Sequence, residues 1–395
     1  MYRFNISAPG KVSLYGDSIK GSNKTSVAAS LNMRTKLLFA SIFPRMIPKE
    51  CIQLDFSSIN LHMKIPLDSF LRYFFYENFN RQRPVFEIYN QVKRYVQLLS
   101  GCSGNYDPSD LRHRLSLEAF FSLLIVIAYE QNINITSSFI VNVSTELSFG
   151  HGLASSSSFV VCLAACFWRW SLLQNGIARF EFLRNDLEKI AIYAGYCDEK
   201  IYNNTMCPID IFVIVKGGII VYENNAVLKM YQRFPSIKIL LVYSKVNKNI
   251  DINRKGLKVC RKSILDSISN LSRTSINVFE KIKNSLTNKG NISASELDNF
   301  PMTYYDELAE LVRMNQELLK ILNVPYGNVD FICAIAQEYF LQGKMTNSIG
   351  EYILILLPPD IAVDHLDKLI NVLSDHGFLA VTTTLCGKWA GVGIE

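Results

Sequence analysis

The chain has 395 residues, of which 49% are hydrophobic and 19% charged, with a formal net charge of +6. This length exceeds one ordinary core, so two domains are expected, and the composition excludes intrinsic disorder. The charge is mild and mixed with acidic residues, which argues against nucleic-acid binding. Its densest basic stretch, Lys245 to Lys262 with Arg254, Lys255, Lys258 and Arg261, reads as a solvated helix face. Nine cysteines without CxxC spacing and five scattered histidines make neither a disulfide framework nor a metal motif. A reducing, cytoplasmic setting is the simplest expectation. The N-terminus lacks the apolar core of a secretion signal. The apolar runs Ala119–Tyr129 and Phe159–Trp168 look too short to cross a bilayer and read as core helices, with no membrane association expected.

In chain order, residues 6–17 read as two short extended pieces joined at Pro9-Gly10, a turn pair. Lys11 follows where an apolar residue would begin a strand. A surface lysine and an ammonium delivered to a cleft both fit that pattern. Residues 26–41 continue the sheet. Arg83 to Leu99 is helical, with Val85, Ile88, Val92 and Tyr95 on the core side, and residues 100–109 form a turn-rich loop.

Residues 138–144 alternate apolar and polar side chains, as a half-buried strand does. The glycine- and serine-rich stretch Thr145 to Ser158 follows, and then the apolar helix from Phe159. Gly150 and Gly152 let the backbone turn where a side chain would clash. The serines are expected to cap the helix start, where unpaired N–H groups and the dipole make an anion site suited to phosphate. A plain capped turn is the alternative, and no Gly-Lys-Ser/Thr ends the loop as in a Walker motif.

A helix over Asn185–Ala194 leads to Asp198 and Glu199. Eleven residues past Glu199, Asp210 stands in the apolar run Ile209–Val215, a costly place for a carboxylate without a partner or a task. Gly217-Gly218 then turns the chain into the strand Ile219–Tyr222, and Ser236–Tyr243 is another strand. The boundary between the two domains, 1–230 and 231–395, falls near Tyr231. The second half reads as helices at Lys255–Leu286, Met302–Leu322 and Asn328–Leu341. The strand Tyr352–Leu357, the helix Ala362–Asp375 and the strand Phe378–Thr384 complete it.

Together these motifs resemble the mevalonate kinases, a branch of the GHMP family of small-molecule kinases. Ala8–Gly16 with Ser26–Thr35 is similar to the family's opening motif, and Gly150–Ser157 to its phosphate loop. Glu199 to Asp210 followed by Gly217-Gly218 has its acidic spacing, and Glu310–Val324 resembles a stretch particular to mevalonate kinases. The resemblance implies an α+β GHMP kinase fold. Its N-terminal domain would be ribosomal-protein-S5-domain-2-like and its C-terminal domain ferredoxin-like, with the last residues returning to the first domain. It further implies ATP-dependent phosphorylation of the mevalonate C5 hydroxyl by a homodimer. The loop Gly150, His151, Gly152, Leu153, Ala154, Ser155 and Ser156 would bind phosphates, and Ser156 and Glu199 would hold Mg2+. Asp210 would be the base and Lys11 its cationic partner.

The chain departs from the family pattern at four places. These are Gly16-Asp17-Ser18, where a histidine is usual, Asn203–Pro208, Ala154 for the loop's third glycine, and Thr346–Glu351 for a glycine-rich motif. Glu351 beside phosphate is expected to repel it. A GHMP kinase with a shifted small-alcohol acceptor and a non-catalytic nucleotide-binding homologue are the alternatives.

Overall fold

A computed structural model describes residues 1–16, 24–42, 50–76, 85–201, 208–224, 226–245, 261–287, 300–322, 327–346, 351–387 and 390–395. The first half comprises β1 (Arg3–Tyr15), β2 (Ser26–Ser41), β3 (Cys51–Phe56), β4 (Leu61–Pro66), α1 (Leu67–Leu71), α2 (Val85–Leu98), β5 (Ser103–Gly104), α3 (Leu111–Gln131), β6 (Phe139–Thr145), α4 (Ser155–Gln174), α5 (Arg184–Ile201) and α6 (Pro208–Lys216). The second half adds β7 (Ile219–Glu223), β8 (Ala226–Tyr231), β9 (Ile237–Tyr243), α7 (Arg261–Thr287), α8 (Tyr305–Ile321), α9 (Gly327–Glu338), β10 (Gln342–Met345), β11 (Tyr352–Leu356), α10 (Val363–Asp375), β12 (Leu379–Leu385) and β13 (Gly393–Ile394).

Among the described residues the strands join one mixed sheet organised on β2. Along one edge β2 pairs antiparallel with β1. Its other edge is divided: Ser26–Ala29 meets β7, Leu31 meets β12, and Thr35–Ser41 meets β6. At 16 residues β2 is long enough to span both halves of the protein. β9 and β11 extend the sheet beyond β12. At the far end of the chain, β13 returns to pair with Ile6 and Ser7 of β1.

Two apolar helices, α3 and α4, lie against the first half of this sheet. Their hydrophobic residues run round the whole circumference rather than along one stripe, the pattern of a helix covered on all sides. Phe120, Phe121, Cys162, Cys166 and Phe167 are fully buried there. The more amphipathic α7 and α8 cover the opposite half, where Phe279, Leu308 and Val312 pack with Val12, Leu14 and Leu153. A third cluster joins α9 and α10 to β9 and β11 through Ile332, Leu369 and Ile355.

Several sequence expectations change here. β1 is one continuous strand of 13 residues, not two pieces joined at a turn, and Pro9-Gly10 marks a register shift against β2. Pairing along both flanks holds the strand extended, so the pair makes a bulge instead. α5 extends to Ile201 and carries Asp198 and Glu199 within it. α4 has 20 residues and is long and apolar enough to cross a membrane by length and composition, contrary to expectation, but 89% of its apolar window is buried inside the protein. The departures at 17–18, 203–207 and 347–350, and most of the basic stretch, lie outside the described residues.

Candidate active site

Lys11 and Asp210 come from distant parts of the chain and meet. Lys11 Nζ lies 2.8 Å from Asp210 Oδ1, with side chains only 6% and 12% exposed. The surface-lysine reading for Lys11 is therefore excluded: its ammonium is delivered from the strand to a buried carboxylate. Such a pair is costly to desolvate, and breaking it by removing one partner is costlier still. Local structure places each group. Lys11 sits on β1, flanked by the pairing of Gly10 with Leu31 and Val12 with Ala29. Asp210 stands in the first turn of α6, where the helix dipole favours a carboxylate. The apolar run that made Asp210 conspicuous packs on two sides. Ile211, Ile214 and Val215 enter the first core, while Ile209 and Val213 meet Ala28 and Ile220.

The phosphate-loop candidate is tied to the same strand. The backbone N–H of Lys11 donates to the Leu153 carbonyl at 3.1 Å. Close approach needs Gly10, because a Cβ there would stand 2.6 Å from Leu147 Cδ2 and 3.0 Å from the Leu153 carbonyl oxygen. Gly150 and Gly152 have φ of +73° and +80°, as turn glycines do.

The start of α4 differs from expectation. No serine caps it; Ala154 is the N-cap residue, in left-handed conformation at φ +60°, with no side-chain hydrogen bond to the helix. The serines serve elsewhere. Ser155 Oγ accepts from the Gly150 N–H at 3.4 Å, and Ser158 Oγ donates to the Ala8 carbonyl at 2.9 Å. The first turn of α4 therefore lacks the side-chain acceptor that would otherwise occupy its N–H groups, which leaves it suited to an anion. Ser156 is half-buried in that turn.

Glu199 lies on the last turns of α5, half-exposed and paired with Lys200. Its neighbour Asp198 is buried. Close by, Glu118 of α3 is buried and its carboxyl is pushed up by desolvation, with Lys93 and Arg114 opposing. Burial also raises the Cys197 thiol, and the Asp198 and Glu118 charges add to that effect.

Sequence reasoning missed a set of contacts from the second half of the chain. His151 Nδ1 is 3.4 Å from Glu351 Oε1, and Ser148 Oγ is 2.8 Å from the Tyr352 hydroxyl. Lys344, fully buried on β10, donates to the Ser13 carbonyl at 3.2 Å. Gln316 Oε1 accepts from the Met345 N–H at 3.1 Å, and Asn315 beside it is fully buried. The signal available was a lone lysine, Lys344, between Gly343 and Met345 in a short strand. Its target two residues beyond Lys11 was not legible.

This geometry and topology define a class: the chain has the GHMP small-molecule kinase fold. Within that fold, the chain is similar in sequence to mevalonate kinases. It is 26% identical over 386 residues to human mevalonate kinase, covering 96% of this chain and 92% of the relative. Mevalonate kinase from Methanococcus jannaschii superposes with a TM-score of 0.65 at 16% identity, over 97% of this chain and 98% of that one. The mevalonate kinase of L. major, solved in complex with R-mevalonate, gives a TM-score of 0.61 at 14% identity, over 98% and 97%. No protein-family model matches the chain.

Proposed function

We propose that the chain transfers the γ-phosphoryl group of ATP to the C5 hydroxyl of mevalonate, giving 5-phosphomevalonate and ADP. The observation that carries this reading is the buried Lys11–Asp210 pair beside an uncapped helix start. The likeness to human mevalonate kinase along 96% of the chain supports the acceptor. Residues 1–230 and 231–395 would be the two domains, and the working unit a homodimer.

Phosphoryl transfer asks for positioning and charge neutralisation more than covalent chemistry. Asp210 orients the C5 hydroxyl and takes its proton as the oxygen bonds to the γ-phosphorus. The bond from that phosphorus to the β,γ-bridging oxygen breaks, and the electron pair leaves with ADP. Lys11 stabilises the incipient alkoxide and the equatorial phosphoryl oxygens. The N–H groups of the Gly150–Ser156 loop receive the remaining phosphate oxygens.

Residues for a magnesium ion are present in part. The Ser156 hydroxyl and the Glu199 carboxylate would hold it, and among the described residues no group of three His, Cys, Asp or Glu forms a closed metal site. Two protein oxygens fit a cation that keeps several waters and takes the rest of its ligands from substrate phosphates. When bound, that ion neutralises triphosphate charge.

A coupled ADP-release assay tests the proposal. Mevalonate-dependent turnover is expected from the wild-type chain, with a loss of at least about 100-fold in Asp210→Ala, the usual scale for a general base. Turnover with phosphomevalonate or homoserine but not with mevalonate would instead identify a different acceptor.

A further inference from the structure

A cleft of about 510 Å3 opens where the last residues of the chain cross back onto β1, beside the end of α6 opposite Asp210. None of the residues lining it belongs to the Lys11–Asp210 pair or to the Gly150–Ser156 loop. Lys216 closes α6 and lies roughly 9 Å along the helix axis from Asp210. The cleft is held by fixed backbone. Arg34 of β2 donates from Nε to Ser7 Oγ at 2.9 Å and from Nη2 to the Ser7 and Gly391 carbonyls at 3.1 and 2.7 Å. A Cβ on Gly391 would stand 2.7 Å from the Val215 carbonyl oxygen, so the returning segment lies directly against the end of α6. A site of this size and build is formed before a ligand arrives.

Its lining combines cations with apolar side chains. Arg34, Lys216 and Arg233 supply the positive charge, and Phe180, Leu187 and Val392 supply apolar surface. Glu181 and Glu395 line it too, so three cations face two carboxylates. The Glu395 charge acts on Arg34, whose guanidinium is already committed to the backbone. Lys216 and Arg233, by contrast, make no hydrogen bond or ion pair among the described residues. Burial pushes the Lys216 ammonium down; Glu188 opposes that and Arg184 adds to it. A partly desolvated ammonium gains most from an anion brought beside it.

We propose that this cleft binds a small amphiphilic anion, a phosphate monoester carrying a short aliphatic chain. Lys216 and Arg233 hold the phosphate, and Phe180, Leu187 and Val392 cover the chain. Two cations without partners suit a doubly charged head better than a singly charged one. The site stands apart from phosphoryl transfer and takes its ligand whether or not nucleotide is bound.

Isothermal titration of the full chain at neutral pH with octyl phosphate, kept below its micelle concentration, is the test. Octyl phosphate should bind about tenfold or more tighter than butyl phosphate, because the longer chain buries more methylenes. Octanoate should bind at least about threefold more weakly than octyl phosphate, and octyltrimethylammonium should not bind. Lys216→Met should weaken octyl phosphate about tenfold or more, the scale of a lost charge-assisted hydrogen bond, and Arg233→Ser should act in the same direction. Phe180→Ser should weaken octyl phosphate about threefold or more while leaving butyl phosphate nearly unchanged. Saturating MgATP should leave the octyl phosphate affinity unchanged. Circular dichroism reports folding; if Lys216→Met does not fold, Arg233→Ser and Phe180→Ser decide, since both residues are exposed. No binding by the wild-type chain overturns the proposal, as does wild-type affinity in either cation variant. Equal binding of octyltrimethylammonium would show apolar adhesion alone, and displacement by MgATP would put the ligand in the nucleotide loop; each overturns it too. None of these outcomes bears on mevalonate-dependent turnover, so this site and the kinase reading fail separately.

Discussion

Ala154 is the clearest single-residue departure from what its backbone asks for. It holds φ +60° at the mouth of α4, a conformation that costs an L-residue with a Cβ roughly 1–2 kcal/mol and glycine almost nothing. Part of that cost is offset because alanine leaves a less disordered unfolded chain than glycine does. Ala154→Gly should therefore stabilise the protein by about 0.5–1 kcal/mol, read as a raised urea midpoint at constant slope. An unchanged or lowered midpoint would mean that the loop does not hold this conformation in solution.

Among the elements, β1 matters most. It carries Lys11, passes its backbone against the Gly150–Ser156 loop, and receives β13 on its free edge. Gly10 is where strand and loop approach too closely for a side chain. In Gly10→Ala the Leu147 side chain can yield, whereas the Leu153 carbonyl is backbone that also accepts from Lys11. Overpacking of this kind costs about 1–3 kcal/mol. The expected outcome is a fall in kcat/KM for ATP of about tenfold or more, equivalent to roughly 1.4 kcal/mol, with the α4 core and its circular dichroism unchanged. Wild-type kinetics in this variant would show that the strand–loop contact is not needed for nucleotide binding.

Across the whole molecule, a few long-range polar contacts tie the first half of the chain to the second. Lys344 reaches from β10 to the Ser13 carbonyl on β1, while Lys24 pairs with Asp266 of α7 and the Thr25 N–H donates to Ser269 Oγ at 3.1 Å. Removing the Lys344 ammonium leaves buried carbonyl groups short of a donor, a loss of about 1–3 kcal/mol. Lys344→Met should lower unfolding free energy by that amount and reduce kcat more than it raises KM for ATP, because it loosens β1 beyond Lys11 rather than the phosphate loop. Denaturant unfolding and steady-state kinetics on the same preparation check both halves of the prediction. A change in KM alone would place the effect in the loop instead.

What the linear chain determined by itself was local. The alternation of β6, the glycine pattern at 150 and 152, the apolar run of α4 and a carboxylate among aliphatic residues each follow from the chemistry of near neighbours, and each is found where that chemistry puts it. The resemblance of the phosphate loop and of the Glu199–Asp210 spacing also lies in short stretches, so it survives low overall identity. What only the tertiary structure decided was every pairing across long separation. Lys11 meets Asp210, His151 meets Glu351, Lys344 finds Ser13, and Pro9-Gly10 becomes a bulge instead of a turn. The physical reason is that a residue's own neighbours set its backbone preference, whereas its charge partner depends on which distant strand the sheet brings alongside.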